Sequence, residues 1–406
     1  MALVAVRRYA AFDSLHNSGF RWLWLGKLAS SATMEMGSVA QGWLAYELTG
    51  SALSLGLITA GRSVARLTFS LYAGALADRF EKRQLLMISR SGMVALAVWL
   101  ALVILLGRLQ VWHLVTYSFV SGILSSFMMP AERAVMAELV GRKGMMNAVS
   151  LTSVGQGLMG IVGASAAGFA IQSMGASSVY MAMAGLFIMA LYTLTRLPLS
   201  GIHNSGASSV WSDLVDGLRY LRVCPPMLPL MFIAVVRVLL GWTYRSLMPV
   251  YADQVLGFDA RGLGILTAAP SVGAMASSFI LASMGRSRKK GVILLASGVV
   301  MGVALVAFAN IRPFALVLLF LVVVGAARNG TMITNQTLVQ ISSDDAHRAR
   351  TVAMYMAIMG LMPLGTIPAG ALADAVGVPL VLTLQGFLLI GIFSWLWLRS
   401  TVRKME

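Results

Sequence analysis

The stretch Gly74-Ala75-Leu76-Ala77-Asp78-Arg79-Phe80-Glu81-Lys82-Arg83-Gln84-Leu85-Leu86 lies between two long apolar runs, roughly 52–73 and 85–107. An apolar run ends where the chain meets water, and this one ends in a burst of charge. Gly74, Ala75 and Ala77 come first, small enough to let two helices approach closely. Asp78 then opens a short charged turn with three basic residues, Arg79, Lys82 and Arg83. Taken by itself the stretch is a basic loop joining two membrane helices, and the rest of the chain decides whether it does more.

Composition sets the solvent. The chain has 406 residues, of which 58% are hydrophobic and 11% charged. Soluble domains carry about a quarter charged residues. So apolar a chain cannot hide its surface in one soluble core, and the bilayer becomes its solvent and first partner. The net charge of +16 invites comparison with nucleic-acid binders. The basic residues, however, punctuate apolar runs and form no aromatic-studded basic face, so no nucleic-acid partner is expected. The single cysteine, Cys224, excludes an internal disulfide and leaves no zinc-type ligand set. No metal and no cofactor are expected. The first 20 residues hold no apolar stretch followed by a small-residue cleavage site, so the first membrane helix is expected to act as the insertion signal.

Hydropathy divides the chain into about twelve spans, each near the ~20 residues that cross the hydrocarbon core. They fall approximately at 21–46, 52–73, 85–107, 111–130, 146–173, 177–197, 227–250, 262–283, 291–310, 313–333, 351–373 and 378–399. With both termini cytoplasmic, the inside segments, Arg90 included, hold 22 basic residues; the outside loops hold Arg108, Arg261 and Arg312. The opposite orientation would invert this bias, so the positive-inside rule predicts cytoplasmic termini. The longest hydrophilic segment, 198–226, opens with a Ser/Gly/Asn-rich linker. It continues with Trp211, Leu214, Val215, Leu218 and Leu221 on one face of an amphipathic helix, stopped by Pro225 and Pro226. The expected organisation is therefore an N-terminal six-helix bundle (1–197), a cytoplasmic linker (198–226) and a C-terminal six-helix bundle (227–406). The halves also repeat: Gly163, Gly168 and Gly175 match Gly365, Gly370 and Gly377 at an offset of 202 residues, about half the chain. In the second half the basic loop 286–290 stands where 74–86 stands in the first, without an aspartate.

The 74–86 stretch resembles the G-x-L-A-D-R-x-G-R-K/R-x-x-L signature of the major facilitator superfamily, with Glu81 in place of the second glycine. Other stretches are similar to the branch holding the enterobactin exporter and macrolide-efflux proteins. These are Phe20 to Gly26, Gln41 to Leu53, Pro130-Ala131-Glu132-Arg133 through Val140, Asp213 to Tyr220, and Leu263 to Ala274. The resemblance implies an all-α membrane protein of two pseudo-symmetric six-helix bundles, working as a secondary exporter that is usually proton-driven. It implies no enzyme activity, a monomer, and a bacterial inner (cytoplasmic) membrane. One departure stands out: drug antiporters of the superfamily usually carry a Gly-Pro pair in helix 5, and this chain has Gly163-Ala164. By the same resemblance Gly74, Asp78, Arg79, Lys82 and Arg83, with Glu132 and Glu138 at the end of span 4, form a conformational latch. Asp78 is expected to cap a helix start near 349–352, with Arg79 or Arg83 pairing to Glu132 or Glu138.

Charges at membrane depth cost anywhere from ~3 to more than 10 kcal/mol and so face a cavity or a partner. Here they are Lys27, Glu35, Arg62, Arg66, Arg237, Arg245 and Arg328. Glu35 is the single acid among them, about 14 residues or roughly 21 Å into span 1. It is the candidate proton-coupling residue; the competing reading is a permanent salt bridge with Arg62 or Arg66. Six cations against one acid favour an anionic substrate, with Arg62, Arg66, Arg237 and Arg328 lining the cavity beside the neutral groups Gln41, Asn329, Asn335 and Gln336. Against this, Arg66, Arg328, Lys27 and Arg245 reach the interfaces if they snorkel. The 27 methionines, with Trp43, Tyr244 and Phe232, suit an adaptable lining. The expectation is a proton-coupled exporter of an amphipathic, drug- or siderophore-like small molecule, the arginines favouring an anion. The alternatives are a facilitator or importer of an organic anion, or a lipid-handling member of the fold. An intramembrane enzyme lacks a buried Asp pair, a Ser–His pair or a metal set, and no Walker-type phosphate loop occurs.

Overall fold

Each long apolar run becomes a helix, because in lipid only a helix satisfies its own backbone polar groups along a single segment. The computed structural model describes residues 14–79, 81–197, 227–284, 289–344, 351, 354–355 and 357–405, the backbone alone at 70–79, 142–143, 146 and 282. The expected connector at 198–226, most of the basic loop at 286–290 and most of the cap target at 349–352 lie outside the described residues. Among those described, the first helices are α1 (Ser18–Thr49), α2 (Ala52–Arg79), α3 (Lys82–Leu105), α4 (Val111–Gly141), α5 (Asn147–Met174) and α6 (Ala176–Thr195). They are followed by α7 (Met227–Val255), α8 (Ala260–Ser283), α9 (Lys290–Asn310), α10 (Phe314–Ile341), α11 (Ile358–Val376) and α12 (Val378–Arg399).

From α3 onward, ten of these are long and apolar enough to cross a membrane among the described residues. The protein is a multi-pass integral membrane protein. α1 and α2 are long enough, at 32 and 28 residues, but fall below that apolarity. The reason is the charge the sequence singles out: Lys27 and Glu35 in α1, Arg62 and Arg66 in α2.

The helices group into two compact units, Met1–Leu44 with Val64–Ala207 and Ala45–Ser63 with Ser208–Glu406. The division falls within α1, whose last residues group with the second unit, and within α2, whose start groups with the second unit and whose remainder groups with the first.

In the first unit α3 packs on α4 and α6. Leu23, Leu85, Leu86, Ala131, Val135, Leu194 and Leu197 form a buried cluster where α1, α3, α4 and α6 meet. In the second unit α9 packs on α10 and α12, and α8 packs on α10. Lipid tails are as apolar as leucine, so helices join through close backbone approach and polar bonds, with little hydrophobic drive between them. Gly302 and Gly386 show the approach: a Cβ on either would lie within 2.8 Å of the other's carbonyl oxygen.

The glycine repeat has a structural meaning in each unit. A Cβ at Gly163 would lie 2.8 Å from the Ala32 carbonyl oxygen, so α5 lies against α1. One at Gly365 would lie 2.3 Å from that of Leu239, so α11 lies against α7. Gly175 and Gly377, at φ of 80° and 87°, turn α5 into α6 and α11 into α12 in a backbone region that favours glycine.

Candidate functional site

α7 is not a continuous helix. Its first part ends at Leu239, a helical stretch resumes at Tyr244, and Tyr251–Val255 forms a π-helical turn. Leu240 to Thr243 form the break, tied back by the Thr243 hydroxyl donating to the Leu239 carbonyl at 2.7 Å. Breaks of this kind at membrane depth are tolerated where protein or a cavity surrounds them.

Arg237 sits one turn before that break and is only 2% exposed. Its Nη2 donates to the Tyr355 hydroxyl at 3.4 Å, with the guanidinium 6.0 Å from that ring. Its Nε and Nη1 are buried with no hydrogen-bond partner among the described residues. The Tyr355 hydroxyl in turn donates to the Met332 carbonyl of α10 at 3.4 Å. One turn earlier on α10, Arg328 lies over the Trp242 ring in the break, 4.4 Å from its centre. One turn later, Asn335 donates to the Leu230 carbonyl of α7 at 3.1 Å, and its own Oδ1 is buried without a partner. Two guanidiniums, two aromatic rings and a half-satisfied amide thus converge from α7, α10 and the segment leading into α11, all within the second unit.

A guanidinium keeps its charge in proteins, and an uncompensated buried charge costs several kcal/mol. Tyr355 and the aromatic faces offset part of that cost. A carboxylate, phosphate or other anion meets the unused Arg237 donors chemically, in the charge-assisted geometry that makes such bonds strong.

The first unit answers its buried cation differently. Arg90 of α3 is fully buried and donates to the Ala190 carbonyl and, at 3.3 Å, to Glu132 of α4. Lys27 of α1 pairs with the other oxygen of the same carboxylate. Glu132 is 7% exposed, so it is a second acid withdrawn from solvent, beyond Glu35. Arg90 is therefore no loop cation, and Lys27 ends on a carboxylate and not at an interface.

The remaining expected site residues divide clearly. Glu35 is half-buried in α1, opposite Gly163 of α5. Arg62 is half-buried and Arg66 exposed on α2. Gln41 donates to the Leu114 carbonyl at 3.1 Å and to Ser118 Oγ at 2.8 Å, tying α1 to α4. Asn329 donates to the Ala274 carbonyl and to Ser277 and Ser278 of α8 at 2.8–2.9 Å. Both amides are occupied in holding helices together. Tyr244 is buried and Phe232 exposed.

In the latch stretch, Gly74, Asp78 and Arg79 lie in the last two turns of α2, and their side chains are outside the described residues. Beyond them, Lys82 meets Glu138, and Arg83 donates to the Thr195 carbonyl at 3.1 Å. Missed in the sequence were Tyr355, Trp242 and the Arg90–Glu132–Lys27 cluster. Nothing in local pattern marks them, since each depends on which helices become neighbours.

These features sit in a recognisable lineage. A family model described as transmembrane secretion effector matches residues 9–406. The staphyloferrin A transporter of Staphylococcus aureus is 22% identical over 86% of this chain and 88% of its own. The multidrug efflux pump Tap of Mycolicibacterium fortuitum is 27% identical over 84% of this chain and 85% of its own. Among solved structures the nucleoside transporter NupG superposes with a TM-score of 0.75, covering 93% of this chain and 98% of its own at 14% identity. The chain belongs to the transmembrane secretion effectors of the major facilitator superfamily, and it is a membrane transporter rather than an enzyme.

Proposed function

We propose that this protein is a proton-coupled exporter working by alternating access, and that its substrate is an amphipathic small molecule bearing an anionic group. The carrying observation is Arg237, buried with two unused donors and no acidic partner among the described residues. An anion passing through would compensate that charge transiently, which a permanent salt bridge could not do without blocking transport. Export follows the relatives, one named as a multidrug efflux pump. Arg62, Arg66 and Arg328 join Arg237 on the substrate path, with Gln41 and Asn329 holding the helices that frame it. Glu35 cycles the proton. Gly74, Asp78, Arg79, Lys82, Arg83, Glu132 and Glu138 serve the conformational latch. The protein acts as a monomer in a bacterial inner membrane with both termini cytoplasmic. Its chain is organised as two six-helix bundles, twelve spans in all, joined by the 198–226 linker.

The test is Arg237→Ala, with ligand binding measured for matched anionic and neutral compounds. Loss of charge-assisted hydrogen bonds worth ~1.5–3 kcal/mol weakens the anion by about tenfold to a hundredfold. The neutral compound changes little. Equal losses for both would assign Arg237 to packing and remove the anion from the proposal.

A further inference from the structure

The pentapeptide Gly-Ala-Leu-Ala-Asp occurs twice, at 74–78 and at 370–374. The first copy closes α2; the second lies in the last two turns of α11. Within the second unit the second copy is engaged through its glycine and its aspartate. Asp374 Oδ1 accepts the Ala52 N–H at 2.6 Å. Its Oδ2 accepts the Leu53 N–H at 3.0 Å and the Ser51 hydroxyl at 2.6 Å. Ser51 Oγ in turn accepts the Ser54 N–H at 3.3 Å. Ala52 is the first residue of α2, so these are three of the four N–H groups that a helix start leaves without intrahelical partners. Asp374 is an N-cap supplied by another helix, its charge at the positive end of the α2 dipole.

Gly370 makes the reach possible. A Cβ there would lie 2.6 Å from the Ala52 carbonyl oxygen, and one at Gly56 would lie 2.9 Å from that of Thr366. Glycine lets the two backbones meet, and the aspartate four residues on, along the same face, takes the N–H groups. A second bond accompanies the cap within the same unit: the Tyr46 hydroxyl donates to Asp253 Oδ2 at 2.6 Å, from the end of α1 to the π-helical turn of α7.

We propose that Asp374 is a releasable latch on the start of α2, built from a second copy of the element that closes the same helix at 74–78. Two observations favour a latch over a fixed cap. The Asp374 carboxylate is exposed, so water replaces its donors on release, at little of the cost of opening a buried pair. Its three hydrogen bonds converge on one carboxylate and break together, giving two discrete states. Release of Asp374 alternates with engagement of Asp78, so one five-residue element holds α2 in either state.

The test uses the full-length protein, Cys224→Ser, in lipid nanodiscs, spin-labelled at Glu47→Cys and Val376→Cys, two exposed positions flanking the cap. Double electron–electron resonance reads the ratio of long to short label distances, and no substrate is needed. Asp374→Ala is expected to raise that ratio about fivefold, the effect of losing one side-chain cap. Ser51→Ala, which removes one of the three bonds, raises it less and serves if the first variant does not fold. Asp78→Ala lowers it. A ratio that neither Asp374→Ala nor Ser51→Ala raises overturns the proposal. So does an Asp78→Ala variant that moves it the same way as Asp374→Ala.

Discussion

Arg90 and Arg237 are the same side chain under the same burial, and the chain treats them in opposite ways. Arg90 has Glu132, and Glu132 has Lys27 as a second partner. Arg237 has a tyrosine hydroxyl and two donors without a hydrogen-bond partner. The first arrangement has its countercharge, though Arg90 Nε is buried without a hydrogen-bond partner, and reads as structure; the second lacks a countercharge among the described residues and reads as a place for a visitor. The contrast predicts different mutant phenotypes. Glu132→Gln leaves Arg90 buried without its countercharge, and breaking a buried pair from one side costs ~3–5 kcal/mol. The expected outcome is a marked fall in the thermal unfolding temperature of the detergent-solubilised protein. Arg90→Met combined with Glu132→Gln recovers part of the loss, because the uncompensated charge is gone. An unchanged melting temperature for Glu132→Gln would show that the cluster is loosely held and available for chemistry. Arg237→Met, by contrast, leaves folding intact, since no carboxylate among the described residues is orphaned by its removal.

Helices come next in scale, and here the glycines decide where backbones touch. Gly365 of α11 faces the Leu239 carbonyl, two residues beyond Arg237 and at the edge of the break in α7. Gly365→Ala places a methyl group 2.3 Å from that oxygen, a distance that backbone cannot absorb without moving. Overpacking of this kind costs ~1–3 kcal/mol. The expected outcome is a lowered melting temperature together with altered ligand affinity, because the shift reaches Arg237. Gly391→Ala is the control: nothing lies within 4 Å of its Cβ, and alanine favours the helix. The same glycines show what was legible beforehand. Their 202-residue offset is visible in the sequence, and so are the apolar runs that become helices, because both are local patterns. The bend in α7, the Tyr355 contact and the occupied amides of Gln41 and Asn329 were not visible. They depend on which helices become neighbours, and a single sequence read alone carries no record of that. Asp374 is a different case. Its pentapeptide repeats Gly74–Asp78 letter for letter, but at the end of α11 and away from the basic loop 286–290 that stands where 74–86 stands in the first half.

At the scale of the whole molecule the question is what drives the cycle. The proposed export draws on a gradient, and a carboxylate that titrates during the cycle is the simplest coupling device. Glu35 occupies a suitable place: half-buried on α1, beside the close α1–α5 approach at Gly163, where a small change in packing alters its surroundings. Glu132 is the more buried acid, yet two cations already hold it, so protonating it would break an ion-paired cluster. Glu35 is therefore the better-placed coupling acid, and it stands apart from the Arg237 site. Glu35→Gln is expected to abolish the response of net transport to an imposed pH gradient while leaving substrate exchange across proteoliposomes at or near the parental rate. The measurement is counterflow with and without the gradient, using lipophilic cations, neutral macrolides and carboxylate-bearing anions as the panel. An anion as the preferred substrate, with gradient dependence lost in Glu35→Gln, links the Arg237 site and the proton in one cycle. Exchange lost along with coupling would place Glu35 in the substrate path itself. Gradient-driven transport that survives Glu35→Gln would move the coupling role to Glu132, where the Arg90 and Lys27 pairs would have to open on every turnover.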